Sequence, residues 1–100
     1  MTKLALYLEL KAKAGKERDL SDLLSGAQSL AAAEPGTIAW FAVQFDGSTF
    51  AIFDAFNDEA ARTAHINGRI PAALMPRVDE LLVAPPEIRK ATVLADKLPG

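Results

Sequence analysis

His65 is the only histidine in the chain, and so the only side chain whose ordinary pKa lies near neutrality. As a neutral imidazole it could take a proton from a bound phenolic hydroxyl. The plainer role is structural, with both ring nitrogens tying a helix end to a neighbouring strand. Asp54 is the second unusual residue, a carboxylate set between Phe53 and Phe56 in an otherwise apolar stretch. A buried charge is costly unless paired, so Asp54 calls for a cation, His65 or backbone donors, within the chain or across a dimer. Tyr7 and Glu9 share one face of an alternating segment. The tyrosine could hydrogen-bond a quinol oxygen, and Glu9 could orient it or act as a base if buried, unless it is a solvated strand end. Trp40 and Phe41 are neighbours on opposite faces, so only one can line a cavity. Asn67 and Arg69 flank Gly68 just after His65. That loop could close over an anionic or phenolic group, or simply cap a helix. Met75 reads as core filler.

Other chemistries find little support. One His and no Cys cannot make a zinc site without three converging carboxylates, and no metal-ligand spacing suggests one. Cysteine-free chains carry neither disulfides nor iron–sulfur clusters. No glycine-rich dinucleotide fingerprint follows a strand. We therefore expect neither metal nor cofactor. Eleven Lys and Arg are scattered against a net charge of −2, which gives no positive face for nucleic acid. The apolar run Leu4–Leu8 is cut short by Glu9 and Lys11, too short and too charged for a signal peptide. No 18-residue apolar run exists, so the expected setting is cytoplasmic, without membrane insertion.

These residues must be held by a single domain, since 100 residues leave no room for two, with a core of about 3–94 and a loose tail at 95–100. Leu4, Leu6, Leu8 and Leu10 alternate as in a strand buried on one face. Leu20, Leu23, Leu24, Ala27, Leu30 and Ala31 form one stripe of a helix over about 16–33, stopped by Glu34-Pro35-Gly36, with Gly36 accepting a reversed backbone. Residues 37–45 and 49–56 read as a hairpin around Asp46-Gly47-Ser48, where Gly47 would supply a positive φ. Asn57 is placed to cap a helix over 58–66. A last helix runs from Ile70 to Val83 with a kink or restart at Pro76, and a strand follows over 87–94. The order β-α-β-β-α-β predicts a ferredoxin-like α+β fold, a four-stranded antiparallel sheet of order 4-1-3-2 with helices on one face. Both hairpin strands are apolar on both sides, so the helix-free face should meet a partner.

The stretch Glu34-Pro35-Gly36-Thr37, the hairpin strands, Phe53-Asp54-Ala55-Phe56-Asn57-Asp58-Glu59-Ala60 and Ala64-His65 together resemble the antibiotic biosynthesis monooxygenase family over about residues 3–94. The resemblance implies a homodimeric α+β barrel, two sheets face to face with helices outside. It implies a cofactor-independent monooxygenase acting with O2 on a small aromatic, polyphenol or quinol substrate in a barrel cavity, with His65 near its mouth as base. Tyr7, Trp40, Asp54, Asn67 and Arg69 are the candidate substrate contacts. A non-catalytic ligand-binding or dimerisation module of the same fold is the alternative. Haem-degrading relatives pair an Asn on the first strand with a Trp and an axial His. The first strand here has no Asn, and Met75 falls near the axial position, which argues against haem degradation.

Overall fold

The alternating leucines do sit on one side of β1 (Leu4–Lys11) in the computed structural model, which describes residues 1–99. Opposite them across β3 (Thr49–Phe56) stand Phe56, Asp54, Ile52 and Phe50, paired antiparallel with Leu4, Leu6, Leu8 and Leu10. On the other side of β3 lies β2 (Thr37–Gln44), and β4 (Ile88–Thr92) closes the far edge beside β1. The order β2-β3-β1-β4 with all neighbours antiparallel is the ferredoxin-like sheet expected.

Helices pack on the leucine side alone. Leu20 and Leu24 of α1 (Glu17–Gly26) meet Leu10, Phe50 and Ile52 in one buried cluster with Leu74, Val78, Leu81 and Leu82. A smaller cluster joins Ala27, Ala31 of α2 (Gln28–Ala32) and Ile70. The single helix expected over 16–33 is thus two. Gly26, a weak helix former, precedes Ala27, whose N–H is shared between the carbonyls of Leu23 and Leu24 at 3.1 and 3.2 Å.

Three local expectations change. The hairpin turn is not made by a positive φ at Gly47, since among the described residues Gly15 alone has a positive φ, at 86°. Instead the Asp46 carboxylate accepts from the N–H groups of Ser48 and Thr49, both at 2.9 Å. Asp58, not Asn57, caps α3 (Glu59–Ile66), accepting from Ala61 N–H at 2.8 Å. Gly36 has no reversed backbone; it is needed because a Cβ there would stand 2.8 Å from that of Ala61. Pro76 acts as expected: α4 (Arg69–Leu74) gives way to a 3₁₀ turn at Met75–Arg77, and the helix restarts as α5 (Val78–Leu81).

The choice between Trp40 and Phe41 is also settled. Trp40 faces the helices and packs on both clusters, while Phe41 is 53% exposed on the open side. A shift in pairing between Thr37 and Ala39 sets this phase. After β4 the chain is tied down at Asp96, whose carboxylate accepts from the backbone N–H and hydroxyl of buried Thr2. Gly100, the end of the tail expected to be loose, lies outside the described residues. Among the described residues no helix is long and apolar enough to cross a membrane.

Candidate functional site

Asp54 is buried in the helix-facing row of β3, with Leu6 opposite it on one side and Trp40 on the other. Nothing on those strands can answer its charge. The answer comes from α3, two turns after the Asp58 cap, where His65 lies under the helix and over the sheet. Arg62, one turn earlier on the same buried side, fastens α3 down. Its guanidinium donates to the carbonyls of Ala5 and Ala91, both at 3.3 Å, and to Glu59 at 2.6 Å. The His65 ring rests on Phe56 with centroids 5.3 Å apart.

So held, His65 Nε2 lies 2.9 Å from Asp54 Oδ2, within the chain rather than across a dimer. Its other nitrogen, Nδ1, lies 2.6 Å from Oε1 of Glu34, in the loop between α2 and β2. That oxygen also accepts from the Thr37 hydroxyl at 2.6 Å. Two glycines let the loop come so close. Gly36 permits its contact with Ala61, and a Cβ on Gly68 would come within 3.1 Å of Glu34 Oε2. Asp54, His65 and Glu34 therefore stand in line through the imidazole.

The line favours a positive charge on the ring while both carboxylates are ionised. A neutral imidazole has one N–H and would turn a lone pair to one carboxylate; only the cation donates to both. Burial, the largest single influence, pulls the His65 pKa down, but the hydrogen bonds and charges of Asp54 and Glu34 outweigh it and push it up to about 8. The sequence offered His65 as a neutral imidazole base; in the structure both of its nitrogens are occupied by carboxylates, an arrangement that favours the cation. The free acceptor is Asp54 Oδ1, buried and without a hydrogen-bond partner.

Asp54 and His65 are the polar floor of a slot of about 40 Å³ between the sheet and α4. Leu6, Leu8, Ile52, Ile66, Ile70 and Leu74 wall it, and the most exposed lining residues, Met75 and Ile88, mark its mouth. Met75, expected as core filler, is 42% exposed at that rim. This enclosed space lies on the helix side of the sheet, not on the open side where a barrel cavity would be.

Of the candidate catalytic and substrate-contact residues read from sequence, the slot brings together only Asp54 and His65. Trp40 is beside Asp54 in register, its indole N–H buried and unpartnered, but it does not line the slot. Tyr7 is on the open face, its hydroxyl donating to Glu9 at 3.2 Å. Asn67 ends α3 and Arg69 begins α4, both exposed. Glu34 was not foreseen as a site residue, because beside Pro35-Gly36 it reads as a helix stop. The one available signal was that a lone histidine and a strand carboxylate leave a ring nitrogen unmatched. Among the described residues no group of three or more His, Cys, Asp or Glu could hold a metal ion.

A protein of unknown function from Nitrosomonas europaea, NE2512, is 57% identical in sequence, covers all of this chain and 97% of its own, and superposes with a TM-score of 0.97. The chain belongs to the family of NE2512. PA3566 from Pseudomonas aeruginosa is 24% identical over 95% of this chain and 97% of its own, with a TM-score of 0.82. A second Nitrosomonas europaea structure, described as a "putative antibiotic biosynthesis monooxygenase", has a TM-score of 0.83 at 15% identity over 92% of this chain and 99% of its own. The fold is antibiotic biosynthesis monooxygenase-like. No family model and no curated protein matches the chain.

Proposed function

We propose that the chain is a cofactor-independent monooxygenase that takes a small phenol or quinol into the slot between sheet and α4. The observation that carries this reading is Asp54 Oδ1, a buried acceptor with no partner at the floor of an apolar slot. A hydroxyl is the group that would satisfy it, and an aromatic ring is the body that suits the walls. Asp54 is the catalytic residue: it accepts the hydroxyl proton, and the resulting phenolate reduces O2. One oxygen atom enters the ring as a carbonyl and the other leaves as water, all electrons coming from the substrate. His65 is a positioning residue that keeps Asp54 Oδ2 occupied and Oδ1 free. The resemblance to the antibiotic biosynthesis monooxygenases supports the oxygen chemistry. Tyr7, Asn67 and Arg69 stand away from the slot, so substrate contact through them would need a second copy or a closed loop.

A second copy of this chain covering the open face is part of the proposal. Phe41 and Phe53 are register partners there, 53% and 40% exposed, with Val43 and the alanines 39, 51 and 55 around them. Such a strip is self-complementary about a two-fold axis and suits sheet-on-sheet packing.

The non-catalytic reading has one observation of its own. At about 40 Å³ the slot has room for two or three waters, against about 150 Å³ for a cavity that takes benzene, so a ring must displace Met75 or protrude. Oxygen-electrode assays over a panel of naphthoquinols and polyphenols decide between the two. We expect O2 uptake, lowered at least about 100-fold by Asp54→Asn. Saturable binding with no uptake by any member would leave a binding module; full activity in the Asn variant would remove Asp54 from the reaction.

A further inference from the structure

His65 is the partition between two hollows. On one side is the slot with Asp54; on the other is a depression of about 130 Å³ walled by Glu34, Gly36, Thr37, Ala61 and Ala64. His65 lines both, while Asp54 belongs to the inner one and Glu34 to the outer. Asp54 is 2% exposed in its side chain, Glu34 21%. The three groups therefore lead from a buried end to a partly exposed one, with contacts of 2.9 and 2.6 Å.

We infer that Glu34 is the outlet of a proton relay in which a proton arriving on Asp54 in the slot expels one from His65 to Glu34 and on to solvent. The inference rests on the reading of Asp54 as acceptor of a substrate hydroxyl. The substrate O–H bond breaks and Asp54 Oδ1–H forms. Asp54 is then neutral, and the imidazolium has lost one of the two anions that held it. The Nδ1–H bond breaks and Glu34 Oε1–H forms across the 2.6 Å contact. Water in the outer depression removes that proton. In the intermediate arrangement every polar contact stays satisfied: Nε2–H donates to Asp54 Oδ2, and the Glu34 hydroxyl donates to Nδ1. In that intermediate the cluster carries no net charge beside the phenolate, and after water takes the proton the one negative charge left on it is on Glu34, at the outer end.

Among the described residues only Asp54 and Glu34 pair with the ring. The helix-facing rows of β1 and β2 carry Leu6, Leu8, Trp40 and Ala42 and no titratable group, β3 carries Asp54 alone, and β4 carries Lys90, exposed and beyond Leu6 from Asp54. On α3 itself Arg62 is committed to Glu59 and two carbonyls. Arg69 of α4 is exposed. Glu34 is thus the group that joins the ring to the outer depression.

The test uses the intact protein with naphthol, whose ionised form has its own absorption, in weak buffer at neutral pH. Three signals are followed together: naphtholate absorption, nitrogen NMR of a ring-labelled His65, and proton release to an indicator. We expect naphtholate to form, Nδ1 to lose its proton, and protons to appear in step with bound naphtholate. Glu34→Gln, which can still accept from Nδ1–H but cannot take its proton, should bind naphthol as well yet cut naphtholate at least about tenfold. Naphtholate formed with Nδ1 still protonated overturns the relay and spares the slot, and so does an unchanged Gln variant. Wild-type NMR alone decides this if the variant misfolds. No naphthol-induced change at the slot methyl groups would remove the slot reading itself, and the relay with it.

Discussion

The two faces of the sheet depart from the ordinary pattern in opposite senses. The helix-covered face, which should be wholly apolar, buries Asp54 among Leu6, Ile52 and Phe56. The open face, which should be polar if it met water, exposes Phe41, Val43 and Phe53. Both departures cost free energy in the isolated chain. They differ in how the cost is met. The charge is answered inside the chain, by a histidine that a second carboxylate keeps cationic. The apolar strip has no partner within the chain. One face meets its cost with an ion pair inside the chain; the other leaves its apolar strip exposed.

The largest effect is expected where the open face is challenged. Phe53→Asp sets a charge at the centre of the strip, twice over in a two-fold dimer, next to Phe41 and Tyr7. Its dimer should dissociate about a thousandfold more readily, roughly 4 kcal/mol, while the far side of the sheet is untouched. Sedimentation velocity across a dilution series reads this directly. A wild-type chain already monomeric and well folded at micromolar concentration would end the contrast between the faces.

The covered face predicts a change of comparable size with an unusual signature. His65→Leu strips Asp54 of its ion partner, and removing one member of a buried pair costs about 3–5 kcal/mol. Removing both, as in Asp54→Leu with His65→Leu, leaves apolar groups on an apolar wall and should be less destabilising than the single His65 change. Denaturant midpoints of the two singles and the double close the cycle. A double variant as weak as the sum of the singles would show that Asp54 and His65 act independently.

How much of this could be read from the chain differs with the range of the interaction. Short-range patterns were plain: alternating leucines placed β1, Pro76 broke the last helix, and the hairpin followed from two apolar stretches around a turn. Asp54 announced itself because a carboxylate among phenylalanines needs a partner, and a lone histidine was in the chain to supply one. Glu34 did not, because its meeting with His65 spans 31 residues and depends on Gly36 letting the loop touch α3. Which of Trp40 and Phe41 faced inward was also illegible. Both faces of β2 are apolar, and the pairing shift at Thr37/Ala39 that sets the phase leaves no mark in composition. Asn67 and Arg69 are near His65 in sequence, but α3 ends at Ile66 and both, lying beyond it, are exposed.

The smallest expected effect isolates the charge on His65. Its folded pKa of about 8 lies above the ordinary 6.5, so the folded state binds this proton more tightly than the unfolded chain. The stabilisation is fully present below about pH 6.5 and is lost as pH rises through about 8. Unfolding free energy should therefore fall by about 1–2 kcal/mol between mildly acid and mildly alkaline solution. Urea titrations at a series of pH values measure it. The same series on Glu34→Gln sharpens the point, since losing one of the two anions lowers the folded pKa and moves the drop to lower pH. If stability were flat through this window in the wild type, the ring would not be held as a cation. The covered face would then be hiding an unanswered charge, as exposed to penalty as the phenylalanines on the other side.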